Sequence, residues 1–185
     1  MADPADETAL IIAVRLPAVL AGLRRRSVPD AASGLPAHAT LLYPFAAADA
    51  LDAGVRARLE RVISRHAAFS FRLAGLGRWP GVLYASVEPE DPFRSLYADL
   101  LCAFPQFPSA GGRFEFVTHV TIAVDPAASA PETASDPAWR ILPTVQRASR
   151  ADLIVRGAAG WDVHWSFPMR GEPKPPRPQQ TGPRR

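Results

Sequence analysis

The sequence predicts an α+β fold of two similar lobes, each an antiparallel sheet with helices on its outer face, flanking a central groove. Three observations carry this. Short β-branched and apolar runs outnumber helix-like stretches and alternate with them along 185 residues. A short pattern, His, any residue, Thr and then an apolar residue, occurs twice, at His38-Ala39-Thr40-Leu41 and at His119-Val120-Thr121-Ile122. Finally, 48% apolar and 21% charged residues suit one globular domain, or two small lobes sharing a core.

The elements follow in order. Residues 8–16 (TALIIAVRL) read as a strand, and Pro17 opens a short helix-like piece to Arg26 with a basic end that suits a helix C-terminus. Pro36 leads into the first motif strand and Pro44 stops it. Apolar Leu51, Val55, Leu59, Val62 and Ile63 give residues 49–66 the spacing of an amphipathic helix, with Asp49 as its cap. Strands are expected at 70–76 and 82–87 around a turn at 77–81. A helix from Pro92 to Phe104 follows, with Asp91 as its start signal.

The second motif strand is expected over 114–124. Residues 125–138, rich in Pro, Ala and Ser, read as a loop before a short helix near Trp139 to Gln146. Strands at 151–156 and 161–167 close the domain, which spans residues 8–168. Residues 1–7 and 169–185 read as disordered ends.

Composition narrows the function classes. Residues 171–185 carry Lys174, Arg177, Arg184, Arg185 and Glu172, which together account for the whole net charge of +3. The body is therefore neutral, unlike a basic nucleic-acid-binding module. No run of 18 apolar residues spans a membrane, and the acidic MADPADETA start is unlike a signal peptide. A single cysteine, Cys102, excludes an internal disulfide; its apolar helical surroundings predict a buried or half-buried thiol. A cytoplasmic monomer without DNA or membrane partners is expected.

In a strand, residues i and i+2 share a face. Each motif thus presents one imidazole beside one hydroxyl, while Ala39, Leu41 and Tyr43, or Val120, Ile122 and Val124, point the other way. With four His and seven Thr in the chain, two such coincidences are improbable by chance. Two imidazoles can hold opposite protonation states near neutrality, one as acid and one as base. Thr40 and Thr121 can donate to phosphoryl oxygens as charge builds there. That is a set for breaking a phosphodiester, and it needs no metal or cofactor.

HATLLYPF followed by HVTIA resembles the 2H phosphoesterase superfamily, which includes bacterial 2′-5′ RNA ligase-like proteins and RNA 2′,3′-cyclic phosphodiesterases. The likeness runs over about residues 8–168 and takes in Trp79 to Tyr84, Asp91-Pro92, Phe104-Pro105 and Gly111 to Phe114. It implies hydrolysis of a 2′,3′-cyclic phosphate, with RNA ends as first candidate substrate and the reverse 2′-5′ joining as a side activity. It also implies His38 as acid and His119 as base. Two positions depart from the family: Thr118 stands where many relatives have Pro, and Val124 where several cyclic phosphodiesterases carry Arg. A nucleotide-binding module without turnover is the alternative.

Further candidates carry less. Trp79 is placed to stack on a base or to cover the core, and Tyr43 to contact substrate or to pack. Asp162 and His164 share a strand face, but two ligands without a third read as a solvated face rather than a metal site. His66 reads as a helix-end cation.

Overall fold

The computed structural model describes residues 7–108, 115–124 and 140–171. Strands β1 (Thr8–Ala13) and β2 (His38–Leu42) are joined through helix α1 (Ala18–Ser27). Helix α2 (Ala53–Ile63) leads to the hairpin β3 (Phe69–Trp79) and β4 (Val82–Glu88), then to α3 (Asp91–Ala103) and β5 (His119–Val124). The chain ends on β6 (Thr144–Ala148), β7 (Arg150–Gly157) and β8 (Gly160–Pro168).

These strands form one antiparallel sheet in the order β6-β3-β4-β5-β2-β1-β7-β8. Its two halves are pseudo-symmetric, each with a motif strand innermost, and they join where β2 meets β5. The predicted α+β architecture of two lobes is therefore present, with the sheet continuous across the seam.

Helices α1, α2 and α3 bury their apolar stripes in a single core. Leu20 and Leu23 of α1, Leu59 and Ile63 of α2, and Phe93, Leu96 and Leu100 of α3 meet Leu10, Ile12, Leu41, Leu73 and Leu83 from the sheet. Burying each such side chain contributes roughly 1.5–3 kcal/mol. Phe93 packs edge-on against Phe69 and Phe71 at 5.0 and 5.1 Å between ring centroids. The other sheet face carries a small apolar cluster of Ala9, Ile11, Ile154 and Trp161. Among the described residues, no helix is long and apolar enough to cross a membrane.

Both motif strands contain the same irregularity. Thr40 faces Ile11 but Leu42 faces Leu10, so Leu41 is an extra residue. Likewise Thr121 faces Tyr84 but Ala123 faces Leu83, leaving Ile122 extra. Such a bulge reverses the alternation beyond it. Leu41 and Leu42 are both buried, as are Ile122 and Ala123. Tyr43 and Val124 consequently emerge on the His/Thr face, where a regular strand would have turned them toward the core; both are exposed.

Several expectations need correction. Residues 144–146 are strand rather than helix, because Thr144–Ala148 pairs with β3 and tertiary pairing overrides the local pattern. Asp52, not Asp49, caps α2, accepting from the Val55 N–H at 2.7 Å. The second motif strand begins at His119, and the described residues before it, 115–118, are not strand. Strand β3 extends through Trp79, so the turn reduces to Pro80 and Gly81, where φ is +76°. Asp91 lies in the first turn of α3, whose cap position is Glu90. Cys102 is exposed, since α3 buries the stripe of Phe93, Leu96 and Leu100 instead. Expectations for residues 1–6, 109–114, 125–139 and 172–185 lie outside the described residues.

Candidate active site

Ala39 and Val120 are direct partners across the antiparallel β2–β5 seam. Antiparallel register then sets His38 across from Thr121 and Thr40 across from His119, all four on one face. The imidazoles occupy one diagonal of this rectangle and the hydroxyls the other. Diagonal neighbours on a sheet lie about 7–8 Å apart, wide enough to flank one phosphoryl group.

The two imidazoles are held alike. His38 Nδ1–H donates to the Pro36 carbonyl at 2.8 Å, and His119 Nδ1–H donates to the Val117 carbonyl at 2.9 Å. A carbonyl only accepts, so both rings carry their proton on Nδ1 when neutral. Nε2 is then the nitrogen that gains or loses a proton in each.

Burial lowers the His38 imidazole from its ordinary 6.5 to about 4. The Pro36 carbonyl works against this, while the nearby Arg24 guanidinium and His119 add to it. Burial also lowers His119, against the pull of the Val117 carbonyl. In the free protein, then, both imidazoles are neutral at pH 7, and His38 resists a proton more strongly.

An aromatic shelf stands beside His119. Trp79 and Tyr84 stack at 4.1 Å, and the Trp79 ring meets His119 edge-on at 4.7 Å. Tyr84 lies across Gly77 of β3 so closely that a Cβ there would strike its ring. Sequence reasoning misses Tyr84; its signal is the alternation in Val82-Leu83-Tyr84, which puts it on the face opposite buried Leu83.

Not every candidate joins the four. Tyr43 shares their face but lies past the other end of β2 from His38, donating to Glu7 at 3.3 Å. His66 pairs with Asp99 of α3 at 3.0 Å instead of merely ending a helix. Asp162 and His164 lie on β8, and among the described residues no three His, Cys, Asp or Glu gather as metal ligands. Ala13, the cross-strand partner of His38, lines a cleft of about 610 Å³ together with Arg15, Gln146, Arg147 and Arg150.

Residues 12–158 match the sequence profile of the 2′-5′ RNA ligase superfamily. The chain belongs to that superfamily, the 2H phosphoesterases. Among solved structures, TT0787 of Thermus thermophilus is similar, with 22% identity and a TM-score of 0.63, covering 90% of this chain and 99% of that one. E. coli LigT complexed with 3′-AMP is also similar, at 16% identity and a TM-score of 0.58, covering 89% and 98%. A structure described as a phosphoesterase has 16% identity and a TM-score of 0.51, with 89% and 99% covered. At these identities the superpositions establish a common fold. A search of curated proteins finds no match.

Proposed function

We propose that this 2H phosphoesterase hydrolyses 2′,3′-cyclic phosphates or related nucleotide phosphodiesters without a metal, with RNA ends the first candidate substrate. The observation that carries the reading is the interleaving of His38, Thr40, His119 and Thr121 around one seam, with both imidazoles held in the same tautomer.

One Nε2 takes the proton from attacking water while the other protonates the departing ribose oxygen, opening the ring to a monoester. Each proton transfer is typically worth about 10²–10⁴-fold in rate. Thr40 and Thr121 donate to the non-bridging oxygens, oriented in advance by their strands. The family likeness makes His38 the acid and His119 the base. Proton affinity in the free state runs the other way, because His38 is the harder of the two to protonate. An anionic phosphate bound between them raises both imidazoles, so that the acid takes up the proton it needs from solvent.

Trp79 and Tyr84 offer the base a stacking surface on the His119 side, and Tyr43 an outlying contact on the same face. LigT has been solved with 3′-AMP, NADP+ and ATP, which supports a nucleotide ligand for this fold. Arg15 and Arg150 line the cleft that begins at Ala13, the cross-strand partner of His38, and cationic groups there favour an RNA end over a lone nucleotide; on this reading the protein acts in the cytoplasm.

One observation favours a second reading, a nucleotide-binding module without turnover: neither imidazole carries a proton in the free state. The deciding experiment assays nucleoside 2′,3′-cyclic phosphates and cyclic-phosphate-ended oligonucleotides in parallel. Turnover on any of them supports the enzyme; tight binding without turnover on all of them supports the module.

A further inference from the structure

The two motifs are nearly equivalent, yet among the described residues a buried cation lies beneath only the first. Arg24, in the last turn of α1, is 6% exposed. Its Nη1 donates to the Leu35 carbonyl at 2.8 Å and its Nη2 to the Pro36 carbonyl at 3.0 Å. That Pro36 oxygen is the one that accepts from His38 Nδ1–H. Among the described residues no carboxylate pairs with Arg24, and its buried Nε finds no partner. A buried guanidinium compensated only by carbonyls is costly. A Leu or Met would fill an apolar helix face at lower cost.

We propose that Arg24 is a positioning residue for His38, fixing the imidazole through the carbonyl they share and making the two histidines chemically unequal. A carbonyl oxygen that already accepts from a guanidinium is locked in place, and so is the ring that donates to its second lone pair. The guanidinium also lies close enough to oppose a positive charge on His38. The charged or titratable groups bearing on His38 are Arg24 from α1 and His119 from β5. On β1, its cross-strand partner is Ala13, which carries no charge. His119 donates to the Val117 carbonyl and has aromatic rings, Trp79 and Tyr84, as its side-chain neighbours instead. The proton therefore goes first to His119 when no anion is bound. His38, opposed first by its burial and further by Arg24, accepts one near neutrality only when a bound phosphate offsets both, which ties its protonation to substrate.

The coupling itself is independent of turnover, whereas its catalytic consequence rests on the proposed function. The test titrates both histidines by NMR in the full chain, without substrate, for the wild type, Arg24→Met and Arg24→Lys. Arg24→Met removes the charge and the fork, and should move the His38 midpoint upward by about half a unit to one unit while His119 stays put. Arg24→Lys keeps the charge but loses the two-pronged grip, so His38 should still titrate low while its proton spreads between Nδ1 and Nε2. A purely structural clamp would lower the melting temperature of both variants and leave titration and tautomer unchanged. That result, in whichever variant folds, overturns the proposal. If a cyclic phosphate is turned over, Arg24→Lys should lower kcat with little change in KM. Coupling seen by NMR in a protein that hydrolyses nothing would sink the proposed function and leave the role of Arg24 standing.

Discussion

Ala39 of β2 lies directly across from Val120 of β5, both fully buried, and this one pairing sets the geometry of the site. Their small and β-branched side chains point into the common core, so the residues on either side of each must face out. A slip of one residue would send His38 and Thr40 inward, burying polar groups without partners. Hydrophobic packing beneath the sheet thus fixes which atoms meet above it.

Replacing either histidine by Ala should lower turnover of a cyclic phosphate by about 10²–10⁴-fold. Neither change should unfold the protein, because the apolar contacts of β2 and β5 come from Ala39, Leu41, Val120 and Ile122. Circular dichroism beside the kinetics checks this. A variant that is inactive because it is unfolded would contradict the separation of site from core.

Thr40→Val and Thr121→Val keep shape and strand propensity while removing the donor. Each should reduce kcat by about 10–10³-fold, since the hydroxyl acts where charge develops. Unchanged kcat in both variants would mean that other groups bind the phosphoryl oxygens.

Protonation of His38 should appear in folding stability. Its folded value of about 4 lies below the roughly 6.5 of the unfolded chain, so the unfolded state binds more protons between these limits. The contribution is fully present above about pH 6.5 and is lost as pH falls toward 4, on the order of 3 kcal/mol in all. Denaturant unfolding of the wild type should steepen over that window relative to His38→Gln. Parallel pH dependences would show that His38 titrates normally.

Trp79→Ala should weaken substrate binding more than it slows chemistry. Stacking on an aromatic ring is worth about 1–3 kcal/mol per base, so KM should rise about 5- to 100-fold with kcat little changed. A fall in kcat alone would assign Trp79 to holding His119, whose ring it meets edge-on.

Much of this is legible in the sequence, for identifiable reasons. The alternation around His38-Ala39-Thr40 and His119-Val120-Thr121 states which residues face out, and the repeat states that there are two such strands. The bulges at Leu41 and Ile122 are not legible, because two consecutive apolar residues look the same in a regular strand as in a bulged one. Regular alternation therefore puts Tyr43 on the wrong face. Thr144–Ala148 has a mixed polar pattern that becomes strand only by pairing with β3. Arg24 is hidden for another reason: a basic residue near a helix C-terminus reads as a dipole partner, and only tertiary structure reveals the carbonyls of Leu35 and Pro36 above it.

Whether His38 and His119 act as a metal-free acid–base pair is tested most directly by the pH dependence of kcat/KM. The reaction is 2′,3′-cyclic phosphate hydrolysis in chelator, measured for the wild type, His38→Ala and His119→Ala. The wild type should give a bell, and each variant should lose a different limb, which also identifies acid and base. Full activity in both variants, or activity that vanishes in chelator and returns with added divalent ion, would contradict the pairing.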